Sequence, residues 1–586
     1  MNTPIPSRSL RRPAPLLPAT IAVLTLLGCG SDDPADSPAA ATPTALPQLG
    51  AAQAGTLSGD CTSLATQLNS LSNITISAVS TIAADTLKIG GQDVAEHCQV
   101  TALTEARTSL IDGQSYAIRF EMRLPKAWNG RFFHQGNGGL DGNVLTATGA
   151  SGGGPLTHAL AQGFAVLSSD AGHTATPNAA AFGIDPQARL NYGYQAAAKL
   201  TPIARAIILA AYNRPADRAY FGGCSNGGRH TMVAAARMPA EYDGYLVGAP
   251  GFNLPKAAVA NLYKGQRYAM VATSPATDLS TAITAAERKV VADAVLAKCD
   301  ALDGATDGLV QDTDACQAAF QWERDVPTCS GSTRDGTCLT AAQKTAIAPI
   351  FSGAVDGSGK AFYASFPYDP GYAGSGIPAW AFTSPSQRDA VAVAFTFKTP
   401  PDSPVGFDGV TFALNANIDT LLQQIVATNA TYTESAMSFM TPPSPTGLSA
   451  LKNRGAKMMV YHGVSDPIFS VEDTTTWYKA LAAANGGDAS DFARLFRVPG
   501  MGHCSGGPAT DQFDAVSALV KWVEQGQAPE SLTAKARGTG NAGGVNADVP
   551  SSWAVDRTRP LCAWPKVARY KGTGSLDDAS SFECRS

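Results

Sequence analysis

Two dipeptides far apart in the chain, Cys224-Ser225 and His503-Cys504, each set a reactive side chain beside a cysteine. If the two cysteines are bonded, Ser225 and His503 must lie together, because a disulfide holds its two Cα atoms within about 7 Å. A hydroxyl and an imidazole at that range can exchange a proton, which is what a serine nucleophile requires. Any fold for this chain then has to leave the site after Ser225, build a long intervening segment, and return to the site at His503.

The surroundings of Ser225 fit that role. Gly223-Cys224-Ser225-Asn226-Gly227 is a G-x-S-x-G pattern followed by Gly228, and Ala219-Tyr220-Phe221-Gly222 before it reads as a short apolar strand. A sharp strand-to-helix turn needs small residues on both sides of the serine, and the helix that follows brings amide N–H groups to a developing oxyanion. An ordinary glycine-rich turn is the plain alternative in a chain with 57 glycines. The third member of a triad is expected between serine and histidine, just after a late strand, as in α/β-hydrolases. Lys457 to Gly463 reads as that strand, and Asp466 follows in Val464-Ser465-Asp466-Pro467. There it would orient His503, although Ser-Asp-Pro is also good turn chemistry. Of the seven histidines, His134 and His173 also stand in glycine-containing loops, and are expected to be structural or to line the site.

Strand and helix patterns alternate from about residue 57 to 250 and again from about 451 to 586, which predicts an α/β fold. Tyr116 to Pro125 and Phe164 to Leu167 read as strands, and Ala196 to Tyr212 as a helix. Residues 251–450 between the two blocks are then an insertion, expected to form a lid domain over the site. Its stretch from Pro367 to Phe397 is rich in glycine, proline and aromatic residues, including Trp380, with one arginine, Arg388. Aromatic rings with one cation suit an aromatic acid, and lid core is the other reading. Also within the insertion, Asp300, Asp303 and Asp307 crowd one loop with Gly304 and Gly308. Carboxylates this close repel unless a hard cation neutralises them. The expectation is a structural Ca²⁺ site with side-chain ligands Asp300, Asp303 and Asp307 and carbonyl ligands Ala305 and Leu309; a solvated acidic turn is the alternative.

Arg8, Arg11 and Arg12 precede an apolar run from Ala19 to Leu27, too short to span a membrane. Residues 1–28 are expected to be a signal peptide of lipoprotein type, with Cys29 in Leu26-Leu27-Gly28-Cys29 as the acylated residue, or else a plain secretory signal. Residues 29–56, rich in Ala, Pro, Ser and Thr, are expected to be a disordered tether. The protein would thus be exported and touch a membrane only through that lipid. Without Cys29, the 11 cysteines leave an even number for an oxidising compartment. The most economical pairing is Cys61 with Cys98, Cys224 with Cys504, Cys299 with Cys316, Cys329 with Cys338, and Cys562 with Cys584. A net charge of −5 excludes a nucleic-acid partner. The chain is expected to act as a monomer.

Taken together, Cys224-Ser225, Asp466, His503-Cys504 and the Asp300 to Leu309 loop resemble the tannase and feruloyl esterase family of α/β-hydrolases over nearly the whole mature chain. The resemblance implies an α/β-hydrolase fold with a large inserted, calcium-binding lid, and the same five disulfides. It implies an oxyanion hole from the backbone N–H groups of Gly139, in Gly136-Asn137-Gly138-Gly139, and of Asn226. It implies substrate contacts from Phe469, Trp380 and Arg388, the last through a free carboxylate. The expected activity is hydrolysis of esters of aromatic acids: a terephthalate monoester such as mono(2-hydroxyethyl) terephthalate, or feruloyl and galloyl esters. The competing class is a catalytically silent surface lipoprotein that binds aromatic compounds.

Overall fold

Nine strands form one mixed sheet: β1 (Thr75–Ile82), β2 (His97–Thr108), β3 (Ser115–Pro125), β4 (Arg131–Gly136), β5 (Ala165–Ser169), β6 (Arg218–Cys224), β7 (Gly244–Gly248), β8 (Lys457–Gly463) and β9 (Ala493–Val498). Their spatial order is β1-β2-β3-β5-β4-β6-β7-β8-β9. The first three run antiparallel to their neighbours, and β5 through β9 pair in parallel. This computed structural model describes residues 46–150, 158–175 and 180–586.

The parallel strands are short and buried on both faces, as crossover helices require. Along β8, Met458 and Val460 face one core with Tyr245 and Val247, while Met459 and Tyr461 face the other with Tyr220 and Leu246. Helices α1 (Ala196–Tyr212), α2 (Asn226–Arg237) and α5 (Val471–Ala484) contribute to the first core and α6 (Ala515–Gln525) to the second. Helix α6 shows why such segments form. Asp514 caps its first turn by accepting the Ser517 amide, Gly526 ends it at φ 69°, and Val516, Leu519 and Val523 share one buried face. This is an α/β-hydrolase fold.

Strands β7 and β8 are hydrogen-bonded neighbours, yet everything between Gly248 and Lys457 lies between them in the chain. That segment is helical and includes α3 (Leu254–Ala269), α4 (Ala285–Cys299) and three successive π-helical stretches, Pro378–Thr383, Pro385–Asp389 and Ala392–Phe397. It has a core of its own around Val295, Trp322, Phe351, Tyr372 and Phe382. Helix α3 packs on all three π-helical stretches. The five disulfides join Cys61 to Cys98, Cys224 to Cys504, Cys299 to Cys316, Cys329 to Cys338 and Cys562 to Cys584, as the economical pairing expects.

The signal peptide, Cys29 and the tether as far as residue 45 lie outside the described residues. The tether's expected end at residue 56 needs correction. Gly55 and Thr56 pair with Trp128 and Ala127, and the amides of Ala52 and Gln53 donate to Glu524 and Asp217 at 2.9 and 2.8 Å. Composition predicted a free segment, but buried and half-buried carboxylates on the body take up these amides. Among the described residues no helix is long and apolar enough to cross a membrane.

Candidate active site

Ser225 sits between β6 and α2 at φ 65° and ψ −124°, a backbone conformation that costs on the order of 1–3 kcal/mol and needs support from its surroundings. The support is backbone against backbone. The Ser225 amide donates to the Gly248 carbonyl at 3.0 Å. A Cβ on Gly223 or Gly227 would stand 2.3 or 2.2 Å from the Gly136 carbonyl oxygen, and one on Gly228 would stand 2.2 Å from that of Gly248. The three glycines of the motif are therefore the places where the turn presses on the ends of β4 and β7.

Beyond β8, the Asp466 carboxylate is 2% exposed and fully engaged. Its Oδ1 accepts the amides of Ile468 and Phe469 at 2.9 and 3.0 Å, and its Oδ2 accepts His503 Nδ1–H at 2.7 Å. Burial alone would raise this carboxyl, but the imidazoles of His503 and His462 hold it well below the usual carboxylate range. Nδ1–H on the Asp466 side leaves Nε2 of His503 as the basic nitrogen, and that atom is buried without a hydrogen-bond partner among the described residues. The Cys224–Cys504 disulfide joins the neighbours of Ser225 and His503. The structure thus joins His503 to Asp466 by a direct hydrogen bond, and ties the chain at Ser225 to the chain at His503 through the neighbouring cysteines.

The loop after β4 passes the same point. A Cβ on Gly138 would lie 3.9 Å from Ser225 Cβ, and Gly139 turns at φ 66°. The side chain of Asn226, buried at the start of α2, donates to Asp141 Oδ2 at 2.8 Å and to the Asn137 carbonyl at 3.4 Å, stitching the helix start to this loop. Asp141 also bonds His230 Nε2 at 2.8 Å, and burial pushes its carboxyl up to about 7. Of the two other candidate histidines, His134 is a core residue, stacked on Phe221 at 4.4 Å with Nδ1 bonded to Tyr242. His173 stacks on Phe182 at 3.6 Å and bonds the Leu140 carbonyl, so it braces the same loop.

From the insertion, Trp380 lies edge-on to His503 with ring centroids 4.6 Å apart, and Phe469 does the same from the other segment at 5.4 Å. The Arg388 guanidinium lies 4.3 Å above the Trp380 ring, a cation–π contact. His503 and Phe469 are thus carried by segments that follow sheet strands, and Trp380 and Arg388 by the insertion.

The aspartate loop lies elsewhere, after α4. Asp300 accepts the amides of Asp307 and Gly308 at 3.0 Å, Asp303 Oδ1 accepts that of Ala305 at 2.9 Å, and Asp307 Oδ1 accepts that of Leu309 at 3.1 Å. Asp307 is also paired with Arg559, both fully buried. Among the described residues no group of three or more His, Cys, Asp or Glu is arranged to hold a metal ion. The donor chemistry still suits a hard cation. Of the three buried carboxylates only Asp307 is in an ion pair among the described residues, Asp303 Oδ2 has no hydrogen-bond partner among them, and burial pushes the Asp303 carboxyl up to about 7.

Reading the chain by motif missed three residues here. His462, Lys264 and Asp141 all touch the neighbourhood of Asp466 or Asn226. Only His462 had a signal, its place four residues before Asp466 at the end of a strand.

A family model described as "Tannase and feruloyl esterase" matches residues 98–585. A mono(2-hydroxyethyl) terephthalate hydrolase of Piscinibacter sakaiensis is 38% identical over 83% of this chain and 85% of its own. A probable feruloyl esterase B-1 of Aspergillus fumigatus is 27% identical over 79% of this chain and 82% of its own. Among solved structures, feruloyl esterase B from Aspergillus oryzae superposes with a TM-score of 0.69 at 24% identity, covering 90% of this chain and 99% of that one.

Proposed function

We propose, from the premise that this chain belongs to the tannase and feruloyl esterase family, that it is a serine esterase for aromatic carboxylic esters working through an acyl-enzyme. The observation that carries the mechanism is the orientation of His503. Its Nδ1–H is fixed on Asp466 at 2.7 Å, its other nitrogen has no hydrogen-bond partner among the described residues, and the Cys224–Cys504 bridge joins the neighbours of His503 and Ser225.

In this reading Nε2 of His503 takes the proton of the Ser225 hydroxyl as Oγ attacks the ester carbonyl, and Asp466 stabilises the imidazolium that results. The oxyanion is held by the amides of Gly139 and Asn226, at the strained turn and the helix start. His503 then gives its proton to the departing alkoxide, and water repeats the sequence to release the acid. The insertion acts as a lid, and its Trp380 with Phe469 flanks the acyl ring. Arg388, stacked on Trp380, is placed to pair with a second carboxylate on the acid, which favours a terephthalate monoester; feruloyl or galloyl esters are the other substrates that the family supports. The Asp300 to Leu309 loop is read as a structural Ca²⁺ site, where the ion would offset buried charge and take no part in the chemistry.

The deciding experiment compares kcat/KM on mono(2-hydroxyethyl) terephthalate, methyl ferulate and methyl gallate for wild type and Ser225→Ala. Ser225→Ala should be folded and silent, since triad loss removes several orders of magnitude of rate. Activity within about tenfold of wild type would end the assignment.

A further inference from the structure

The Asp466 carboxylate has one donor more than the orientation of His503 needs. Besides the two amides on Oδ1 and His503 on Oδ2, Nε2 of His462 lies 3.3 Å from the same Oδ2. His462 stands near the end of β8, and its side chain is wholly buried. Its Nε2 is also 3.0 Å from the Phe469 carbonyl, and its Nδ1 is 2.9 Å from the Thr474 hydroxyl on α5. Both partners of Nε2 are acceptors, so Nε2 must carry a hydrogen whichever way Nδ1 bonds Thr474. That N–H is shared between a carbonyl and the carboxylate.

We propose that His462 is a positioning residue for the hydrolysis, whose Nε2–H pins Oδ2 of Asp466 toward His503 and draws off part of the charge with which Asp466 stabilises the imidazolium. The inference rests on the reading of Ser225, His503 and Asp466 as a triad. Other charged or titratable groups face Asp466 from the neighbouring elements. Lys264 on α3 donates to the Pro467 carbonyl at 2.5 Å and lies near Asp389, and the Tyr363 hydroxyl accepts the Ser470 amide. Asp369 is bonded to Ser465, and Asp473 on α5 to Asn253. All of these remain in a His462 variant, so they set the baseline and not the difference.

Without this donor, Oδ2 carries its charge undivided and the imidazolium of His503 becomes easier to form. The base is then protonated at higher pH. The test is the pH profile of kcat and kcat/KM on a p-nitrophenyl ester, from about pH 5 to 9, for wild type, His462→Leu, His462→Asn and His462→Gln, with melting curves for each. A glutamine amide reaches the Nε2 position and restores the donor, whereas asparagine reaches only the Nδ1 position. His462→Leu and His462→Asn should lose about tenfold in kcat, the worth of one stretched hydrogen bond to a charged group, and their acidic limbs should move to higher pH. His462→Gln should recover most of the rate and return the limb. If leucine prevents folding, the asparagine and glutamine pair carries the comparison. Acidic limbs unmoved in every variant, or equal losses in asparagine and glutamine, would overturn the proposal. Ser225→Ala in the same assay separates the two failures. Turnover there would sink the triad and this inference together, while a silent Ser225→Ala beside wild-type-like His462 variants would sink this inference alone.

Discussion

Gly227→Ala tests whether the turn and the loop after β4, proposed to hold the oxyanion, are kept together by backbone contact. The added Cβ would stand 2.2 Å from the Gly136 carbonyl oxygen, 2.8 Å from its carbon and 3.2 Å from the Asn137 oxygen. No side chain can rotate away, since all three atoms are backbone. Reaching an ordinary C···O separation of about 3.3 Å requires the loop and the start of α2 to part by roughly 1 Å. Displacing a catalytic group by that much costs about 10²-fold, the same order as losing one oxyanion donor. Stability should change little by comparison. Overpacking costs about 1–3 kcal/mol, and alanine recovers about 1 kcal/mol of helix preference over glycine. The assay is kcat/KM on a chromogenic ester beside a melting curve. A folded variant within about threefold of wild-type kcat/KM would refute the argument that this contact sets the oxyanion geometry.

Asp466→Asn should remove most of the activity and also flatten the acid limb of stability. Burial raises the wild-type carboxyl, but His503 and His462 hold it below 3.8, so it contributes stability that is lost as pH falls through its folded value; melting curves below about pH 4 that run parallel in both proteins would contradict this. Asp303→Asn should lower the melting temperature in calcium and leave it unchanged or higher in chelator, because without a cation the buried carboxylate only costs stability; identical behaviour in both buffers, with no metal by elemental analysis, would reduce the loop to an acidic turn. Arg388→Ala should raise KM for a terephthalate monoester by about tenfold or more while sparing methyl ferulate, which has no second carboxylate; equal losses would make Arg388 a structural partner of Trp380.

What could be read along the chain was local. The turn around Ser225 was legible because backbone contact there excludes every residue but glycine at three nearby positions, and that leaves a written pattern. The Cys224–Cys504 closure was legible because each cysteine adjoins a residue with chemistry. The strands Lys457–Gly463 and Arg218–Cys224 were legible as apolar runs with turn signals at their ends. Trp380 against His503 was named from a resemblance, but its edge-on placement was not readable, since it depends on three π-helical stretches and on how α3 packs against them. The Arg559 that takes Asp307 is far away in sequence and carries no motif. His462 left only a weak mark, its place four residues before Asp466, because its contact with that carboxylate is made by the turn after β8.

Trp380 belongs to the insertion, yet its ring packs on that of His503. In the proposed mechanism one side chain would thus both flank the acyl ring and neighbour the base. For anyone redesigning the enzyme, position 380 is therefore not a free dial for substrate size. On that proposal a smaller or differently shaped residue would widen the space for the acyl group and at the same time take away a ring packed on His503. Libraries that seek a new acyl group at unchanged turnover are better built around Arg388 and the outer π-helical stretches, with Trp380 left in place until the base has been re-supported from the Phe469 side.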